Sequence, residues 1–237
     1  MKKLFFFLAI VAIVSLCREM ACTNSHGNLT EDLQHNVDTA YLESEAPDDE
    51  SKTHESVDLG LSVEWATECM NRDYRWGETE PYNENKPYKY YRDETIKDKD
   101  GFDLNMYGYT KYITKENAQE GNEMFYDNKT QLDLEDDAAY VNWGKEWRTP
   151  TKKECEELIR ECTFENKSIN GEEGIKVTGP NGNFIFIPVD LRVDLMTSST
   201  SGDGNYFELD VRCVGKPAVH ELDRKETWSI VRPVRNK

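Results

Sequence analysis

Histidine is scarce in this chain, which has four among its 237 residues: His26, His35, His54 and His220. Three of them precede residue 57, in a polar segment, so only His220 belongs to the part of the chain with a foldable composition. One histidine cannot complete the multi-histidine sites typical of zinc or non-haem iron. A serine or cysteine nucleophile would also have only His220 as its histidine base. We therefore predict neither a histidine metal site nor a catalytic triad.

Basic residues are also few, since 29 Lys and Arg face 46 Asp and Glu, which gives a formal net charge of −17. Such a chain repels nucleic acid and anionic lipid headgroups. No glycine-rich phosphate loop is present, because GEEG and SGDGN are ordinary turn sequences. We predict that the protein binds no nucleic acid.

Long hydrophobic runs are absent except at residues 5–16, where Ser15 is the single polar residue among twelve. Lys2 and Lys3 precede it, and the run is too short to span a bilayer, so residues 1–22 are typical of a secretory signal peptide. Cys22 follows the small Ala21 and resembles the lipidation site of a bacterial lipoprotein. We expect a cell-envelope protein: an outer-membrane lipoprotein, periplasmic or surface-facing, that touches the membrane only through its lipid. Plain secretion is the alternative.

Residues 23–56 contain nine acidic residues against one basic residue, Lys52. A segment of this composition cannot bury enough apolar surface to offset its chain entropy. We predict an acidic flexible tether.

Residues 57–237 have the length and composition of one domain with its own core. Apolar residues alternate with others from Val57 to Trp65, which predicts a half-buried strand. Residues about 70–131 are rich in tyrosine and turn residues without clear periodicity. We predict that they form a long irregular insertion, packed by its aromatic rings, and such segments are often functional.

Two helices are predicted after this insertion. The first begins in the acidic run at residues 133–137, where the helix dipole favours anions, and ends at Gly144. The second begins at Thr151, which forms a capping box with Glu154. Its buried face follows helical spacing and consists of Cys155, Leu158, Ile159 and Cys162.

The remainder is predicted to be β-structure. A strand through Ile175 and Val177 leads into a hairpin turn at Asn181-Gly182, and residues 184–189 return as the partner strand. Residues 206–211 and 228–234 are two further strand candidates.

Several segments together resemble a known family: VDLGLSVEWATEC, WGET, LEDDAAYVNWGKEWRTPTKKECEELI, GIKVTGPNGNFIFIPV, SSTSGDGNYFELDV and SIVRPVR. In this order they are similar to the Fibrobacter succinogenes major paralogous domain, over roughly residues 57–235. WRTPTKKECEEL also resembles a block of formylglycine-generating-enzyme-like domains. The resemblance implies an α+β, C-type-lectin-like fold with two helices, a β-rich second half and paired terminal strands. It also implies an exported bacterial protein and supplies no catalytic motif.

Calcium is the one cofactor that the residues suggest, and we otherwise predict none. The sequence DKDGFD places Asp98, Asp100 and Asp103 around a glycine, as in loops that wrap a hard cation. No later glutamate stands at EF-hand spacing, so we favour an acidic turn.

Four cysteines remain after export: Cys69, Cys155, Cys162 and Cys213. Cys155 and Cys162 are ~10 Å apart on one helix, which exceeds the ~4.4–6.8 Å between the Cα atoms of a disulfide. The family resemblance implies a bridge between Cys69 and Cys162, with Cys155 and Cys213 as the second pair. The alternative is that Cys155 is a buried apolar residue.

Arg148 and Arg232 each lie next to an aromatic residue or proline in strand-like surroundings. An arginine in such a place usually forms a structural ion pair or donates to backbone carbonyls. We favour this role over contact with a ligand.

The sequence predicts no catalytic residues and favours a non-enzymatic binding module for a glycan or protein ligand. Aromatic rings stack on sugars and dominate protein interfaces. The candidate ligand-binding residues are therefore those of the insertion: Trp76, Tyr88, Tyr90, Tyr91, Tyr107 and Tyr109. The alternatives are a carboxylate-dependent enzyme acting on envelope polysaccharide, which needs two acids across a cleft, and a structural subunit of a surface assembly.

Both disulfides are testable on the exported protein. We expect its intact mass to increase on reduction by the hydrogens of two bridges, because an oxidising compartment favours pairing of an even number of cysteines. Four free thiols before reduction would contradict both pairings.

Overall fold

The structure is a computed structural model that describes residues 53–97, 99–118, 125–188, 194–211 and 216–237. Residues 1–52 lie outside this range, and with them the predicted signal peptide, Cys22 and most of the predicted tether. Within the described residues, no helix is long and apolar enough to cross a membrane.

The described residues form a mixed α+β fold made mostly of sheets. The elements, in chain order, are β1 Ser56–Asp58, β2 Val63–Ala66, β3 Asp73–Tyr74, β4 Tyr91–Lys97, β5 Asp103–Tyr109, α1 Ala138–Trp143, α2 Lys152–Glu161, β6 Thr163–Ile169, β7 Glu172–Thr178, β8 Phe184–Pro188, β9 Asp194–Thr200, β10 Asn205–Asp210, β11 Ala218–Asp223, β12 Ser229–Ile230 and β13 Val234–Asn236. Two short 3₁₀ helices, Lys115–Asn117 and Leu134–Asp136, precede α1.

The strands form four sheets, with the orders β1-β2-β13, β11-β10-β9-β12-β3, β4-β5 and β6-β7-β8. Neighbouring strands are antiparallel except β12 and β9, which are parallel. β13 pairs with β2, with Val234 opposite Trp65, so the last strand is joined to the beginning of the domain as expected for paired terminal strands.

The first predicted strand is wrong as a continuous element. Gly60 adopts φ +81°, and its N–H donates to Asp58 Oδ1 at 2.7 Å, which turns the chain and makes a hairpin of β1 and β2. Leu59 and Leu61 are nevertheless buried. The alternation therefore predicted burial correctly, but a glycine inside it marked a turn.

Both predicted helices are present, but the first begins at Ala138, after the acidic run, because residues 134–136 form a separate 3₁₀ helix. Thr151 Oγ1 accepts from the backbone of Glu154 while the Glu154 side chain accepts from that of Thr151, so the capping box before α2 is confirmed. Arg148 forms a bidentate ion pair with the same Glu154, at 2.6 and 2.8 Å, which confirms its structural role. α1 ends at Gly144, with φ +106°. Cys155, Leu158 and Cys162 are buried in one core cluster.

The predicted hairpin of the β-rich half is formed by β7 and β8, whose turn contains Gly182 at φ +88°. β10 matches the strand expected at residues 206–211. The last predicted strand is wrong as one element, because β12 and β13 are separate strands either side of residues 231–233. Pro233 lies in this gap and has no N–H for a ladder.

The insertion is more ordered than predicted. It contains the hairpin of β4 and β5, paired from Tyr91↔Tyr109 to Lys97↔Asp103. Other aromatic residues of the insertion are buried in a second core cluster, with members Tyr74, Trp76, Tyr88, Tyr90 and Tyr112. The rings therefore pack the insertion onto the domain, as expected.

The last residues of the predicted tether also pack on the domain. Ser56 begins β1, and the side chain of His54 is only 8% exposed. Its ring stacks on Trp143 with 3.5 Å between centroids and 5° between planes. The packed region therefore includes His54, which the sequence assigned to the tether.

Asp136 fixes the insertion to the segment before α1. Its carboxylate is buried and accepts hydrogen bonds from four side chains: Lys89 Nζ at 3.0 Å, Lys111 Nζ at 2.5 Å, Tyr112 OH at 2.5 Å, and Tyr90 OH. Burial alone would raise the pKa of Asp136, but these hydrogen bonds outweigh it and lower the pKa to about 2. The acidic run is thus more than a helix-dipole feature. Only Asp137 caps α1, through Ala139 N and Tyr140 N.

Replacing Asp136 tests this contact. We expect Asp136→Asn to lower the free energy of unfolding at pH 7 by about 2–4 kcal/mol, because two lysines and two tyrosines lose a charged acceptor. Because the pKa of Asp136 is lower in the folded protein than its unfolded value of 3.8, the ionised carboxylate stabilises the fold at pH values above 3.8. This contribution is lost as the pH falls towards 2. Urea unfolding should therefore show a smaller difference in stability between the wild type and Asp136→Asn at pH 3 than at pH 7. Glu135→Gln, whose side chain is 77% exposed, is the control; equal losses in both variants would contradict the account.

Candidate functional site

A cavity of about 740 Å³ lies beside the β2–β3 connection and the end of β8. Its walls come from residues 67–73, 81–82 and 186–188, together with Glu172, Leu195, Ile230 and Arg232. Asn71, Pro81 and Glu172 are exposed, so the cavity opens to solvent at these residues. A volume of this size is within the range of about 300–1,000 Å³ that small-ligand sites occupy.

Arg232 holds the wall segments together. Its side chain is completely buried, and its guanidinium donates to three backbone carbonyls: Ala66 O at 3.0 Å, Thr67 O at 2.6 Å and Phe186 O at 2.9 Å. The first carbonyl belongs to the last residue of β2, the second to the residue after it, and the third to β8. Arg232 therefore has the carbonyl-binding role favoured from the sequence, and it sets the distance between two walls of the cavity.

Tyr82 forms a fixed part of another wall. Its ring stacks on Trp228, with 4.1 Å between centroids and 6° between planes, and the guanidinium of Arg75 lies 4.8 Å from the same ring. The Tyr82 N–H also donates to Asp73 O at 2.8 Å. Contacts on the ring and the backbone together hold this wall in place before any ligand binds.

Cys69 lines the cavity next to Arg232, with 3.7 Å between Sγ and Nη1. Burial raises the pKa of the Cys69 thiol despite the neighbouring guanidinium. Burial also raises the pKa of Cys155, and that of Cys162 to about 11. These three cysteines are free thiols in the structure, and Cys213 lies outside the described residues. The two disulfide pairings stay predictions.

The aromatic residues proposed as ligand contacts are divided by burial. Trp76, Tyr88 and Tyr90 are buried, with at most 8% of each exposed, so they belong to the core. Tyr91 and Tyr109 are half-buried and in contact with each other, while Tyr107 is 58% exposed. None of the six lines the cavity. Of the six proposed contacts, only Tyr91, Tyr107 and Tyr109 are accessible, and for these three ligand contact stays a prediction.

The candidate calcium ligands lie around the tip of the β4–β5 hairpin. Asp103 is at the start of β5 and pairs with Lys97, and Asp100 precedes it in the turn. Asp98 lies outside the described residues. Among the described residues, no three histidine, cysteine, aspartate or glutamate side chains form a group suited to a metal ion.

In the described part of the chain, the buried Asp137 and Glu208 have a raised pKa, but both carboxyl groups make structural hydrogen bonds. Burial raises the pKa of Asp137, which accepts from Thr149, and that of Glu208, which accepts from Tyr206 OH at 2.8 Å and from Ser229 Oγ. A glycosidase-like site needs such groups on either side of a cleft. Neither of these two lines the cavity.

The cavity was not predicted, because its walls come from segments more than one hundred residues apart. One local signal, Pro188, could have indicated that β8 lies at the edge of a sheet. A proline within a strand is confined to edge positions, and β8 is the outer strand of its sheet.

Comparison with known proteins gives no match to a family model, a curated protein or a solved structure.

The role of Arg232 is tested by a substitution that keeps its charge. We expect Arg232→Lys to lower the free energy of unfolding by roughly 2–3 kcal/mol. The planar guanidinium of arginine reaches three carbonyls at once, and a single ammonium group cannot. Arg160→Lys is the control, since the Arg160 side chain is 63% exposed and should change stability by less than about 0.5 kcal/mol. Urea unfolding measures both variants. Equal stability of the two would show that the carbonyl contacts are dispensable.

Proposed function

We propose that this protein is an exported, lipid-anchored, non-enzymatic module that binds a glycan or protein ligand in the cavity beside Arg232. The observation that supports this most is the cavity itself, which is of ligand size and has walls fixed by internal contacts. Its lining combines apolar residues such as Phe186 and Ile230 with polar ones such as Asn71 and Arg72.

The proposed export and anchoring rest on the N-terminal sequence, in which Cys22 would carry the lipid. The proposed fold group is the C-type-lectin-like group, with the Fibrobacter succinogenes major paralogous domain as the family. Two helices before a β-rich half, and the pairing of β13 with β2, support this assignment.

The binding role is favoured over the carboxylate-dependent enzyme. The enzyme needs an acid with a raised pKa facing the ligand. The buried acids with a raised pKa, Asp137 and Glu208, accept from their own hydrogen-bond donors and do not line the cavity. A structural subunit of a surface assembly would be distinguished by stable oligomers on purification.

The location of the site is tested by substitution of Phe186. A glycan array and a peptide array identify a ligand, and calorimetry then gives its Kd. We expect Phe186→Ala to weaken binding at least about tenfold, because the variant loses an aromatic wall of the cavity.

Phe184→Ala is the matched control, because Phe184 points to the same side of β8 but does not line the cavity. We expect it to bind as the wild type does. If Tyr107→Ala abolishes binding while Phe186→Ala does not, the ligand site is on the β4–β5 hairpin and the proposed location is wrong.

A further inference from the structure

We infer that the cavity takes a neutral sugar chain in preference to an acidic polysaccharide or an extended peptide. This inference rests on the proposed binding function and specifies the ligand class of the same site.

The charges of the lining disfavour an acidic ligand. The lining contains three acidic residues, Glu68, Asp73 and Glu172, against two basic ones, Arg72 and Arg232. Arg232 is completely buried and donates to three backbone carbonyls, so its charge is compensated inside the protein and is not exposed to a ligand. The whole chain also carries a formal net charge of −17. An acidic polymer would be repelled both at long range and in the cavity.

The polar groups of the lining suit hydroxyl groups. A carboxylate only accepts hydrogen bonds, a guanidinium only donates them, and an amide does both. Glu172, Arg72 and Asn71 bring all three kinds to one cavity. A sugar hydroxyl has one donor hydrogen and two acceptor lone pairs, so it can satisfy partners of either kind without carrying a charge.

The apolar part of the lining suits the C–H faces of a sugar ring. Phe186 is held tightly over β7, since a Cβ at Gly174 would lie 2.3 Å from Phe186 Cζ. Ile230 and Pro81 add further apolar surface. Rigid aromatic and aliphatic walls offer contact area with little loss of side-chain entropy on binding.

The backbone of β8 disfavours an extended peptide. A peptide that adds to the outer edge of a sheet needs free N–H and C=O groups on the edge strand. Near the cavity, Phe186 O already accepts from Arg232, and Pro188 has no N–H to donate. Strand addition is therefore blocked where the cavity meets β8.

The inference is tested by affinity gel electrophoresis of the full exported protein. The probes are soluble neutral polysaccharides, namely mannan, xylan and mixed-linkage β-glucan, and the acidic polygalacturonate. We expect at least one neutral probe to retard the protein, with little dependence on salt, and polygalacturonate to leave its mobility unchanged. Asn71→Ala should weaken retardation at least tenfold in probe concentration, whereas Asn85→Ala, another exposed asparagine that does not line the cavity, should not.

Asn71 is exposed, so thermal unfolding should show both variants folded. The inference would be overturned if polygalacturonate alone retards the protein, or if none of the polysaccharides does. Equal retardation of the Asn71 and Asn85 variants would overturn it as well. Retardation by polygalacturonate alone would leave the binding module in place with an acidic ligand. If no polysaccharide retards the protein, a peptide array separates the two failures: peptide binding that depends on Phe186 would preserve the binding module, and its absence would remove both.

Discussion

The fold around the cavity depends on one buried guanidinium. Arg232 joins the end of β2, the outer strand β8 and the segment between β12 and β13 through three carbonyl contacts. Backbone hydrogen bonds connect the same segments: Ala66 N donates to Pro233 O, and Met70 N donates to Val231 O. A buried charge is costly unless hydrogen bonds compensate it, so the surrounding carbonyls must stay where they are. The cavity is a consequence, because its two facing walls cannot approach each other while Arg232 holds them.

A second buried charge has the same role on the tyrosine-rich side. Asp136 binds two lysines and two tyrosines of the insertion, and the rings around it complete the second core cluster. These tyrosines stabilise the domain and are not available to a ligand. The function is therefore better sought in the cavity, where polar and apolar side chains are both accessible, than among the buried rings.

Local signals allowed much of the fold to be predicted. The capping box of Thr151 and Glu154, the stop at Gly144 and the turn at Gly182 act within a few residues, and all three are present. The β4–β5 hairpin was missed because its strands carry charged residues such as Arg92, Asp93 and Glu94 without apolar alternation. The buried Tyr90 hydroxyl donates to Asp136, 46 residues away, a contact that no local pattern reveals. The cavity depends on contacts that are longer still, and for this reason the sequence could not predict it.

The most direct test of the account is hydrogen–deuterium exchange of the protein with and without a saturating ligand, measured on peptides across the domain. If the cavity is the ligand site, the ligand should slow exchange in residues 67–73 and 184–188, while residues 91–109 exchange at their free rate. Slower exchange confined to residues 91–109, with residues 67–73 and 184–188 unchanged, would contradict the account.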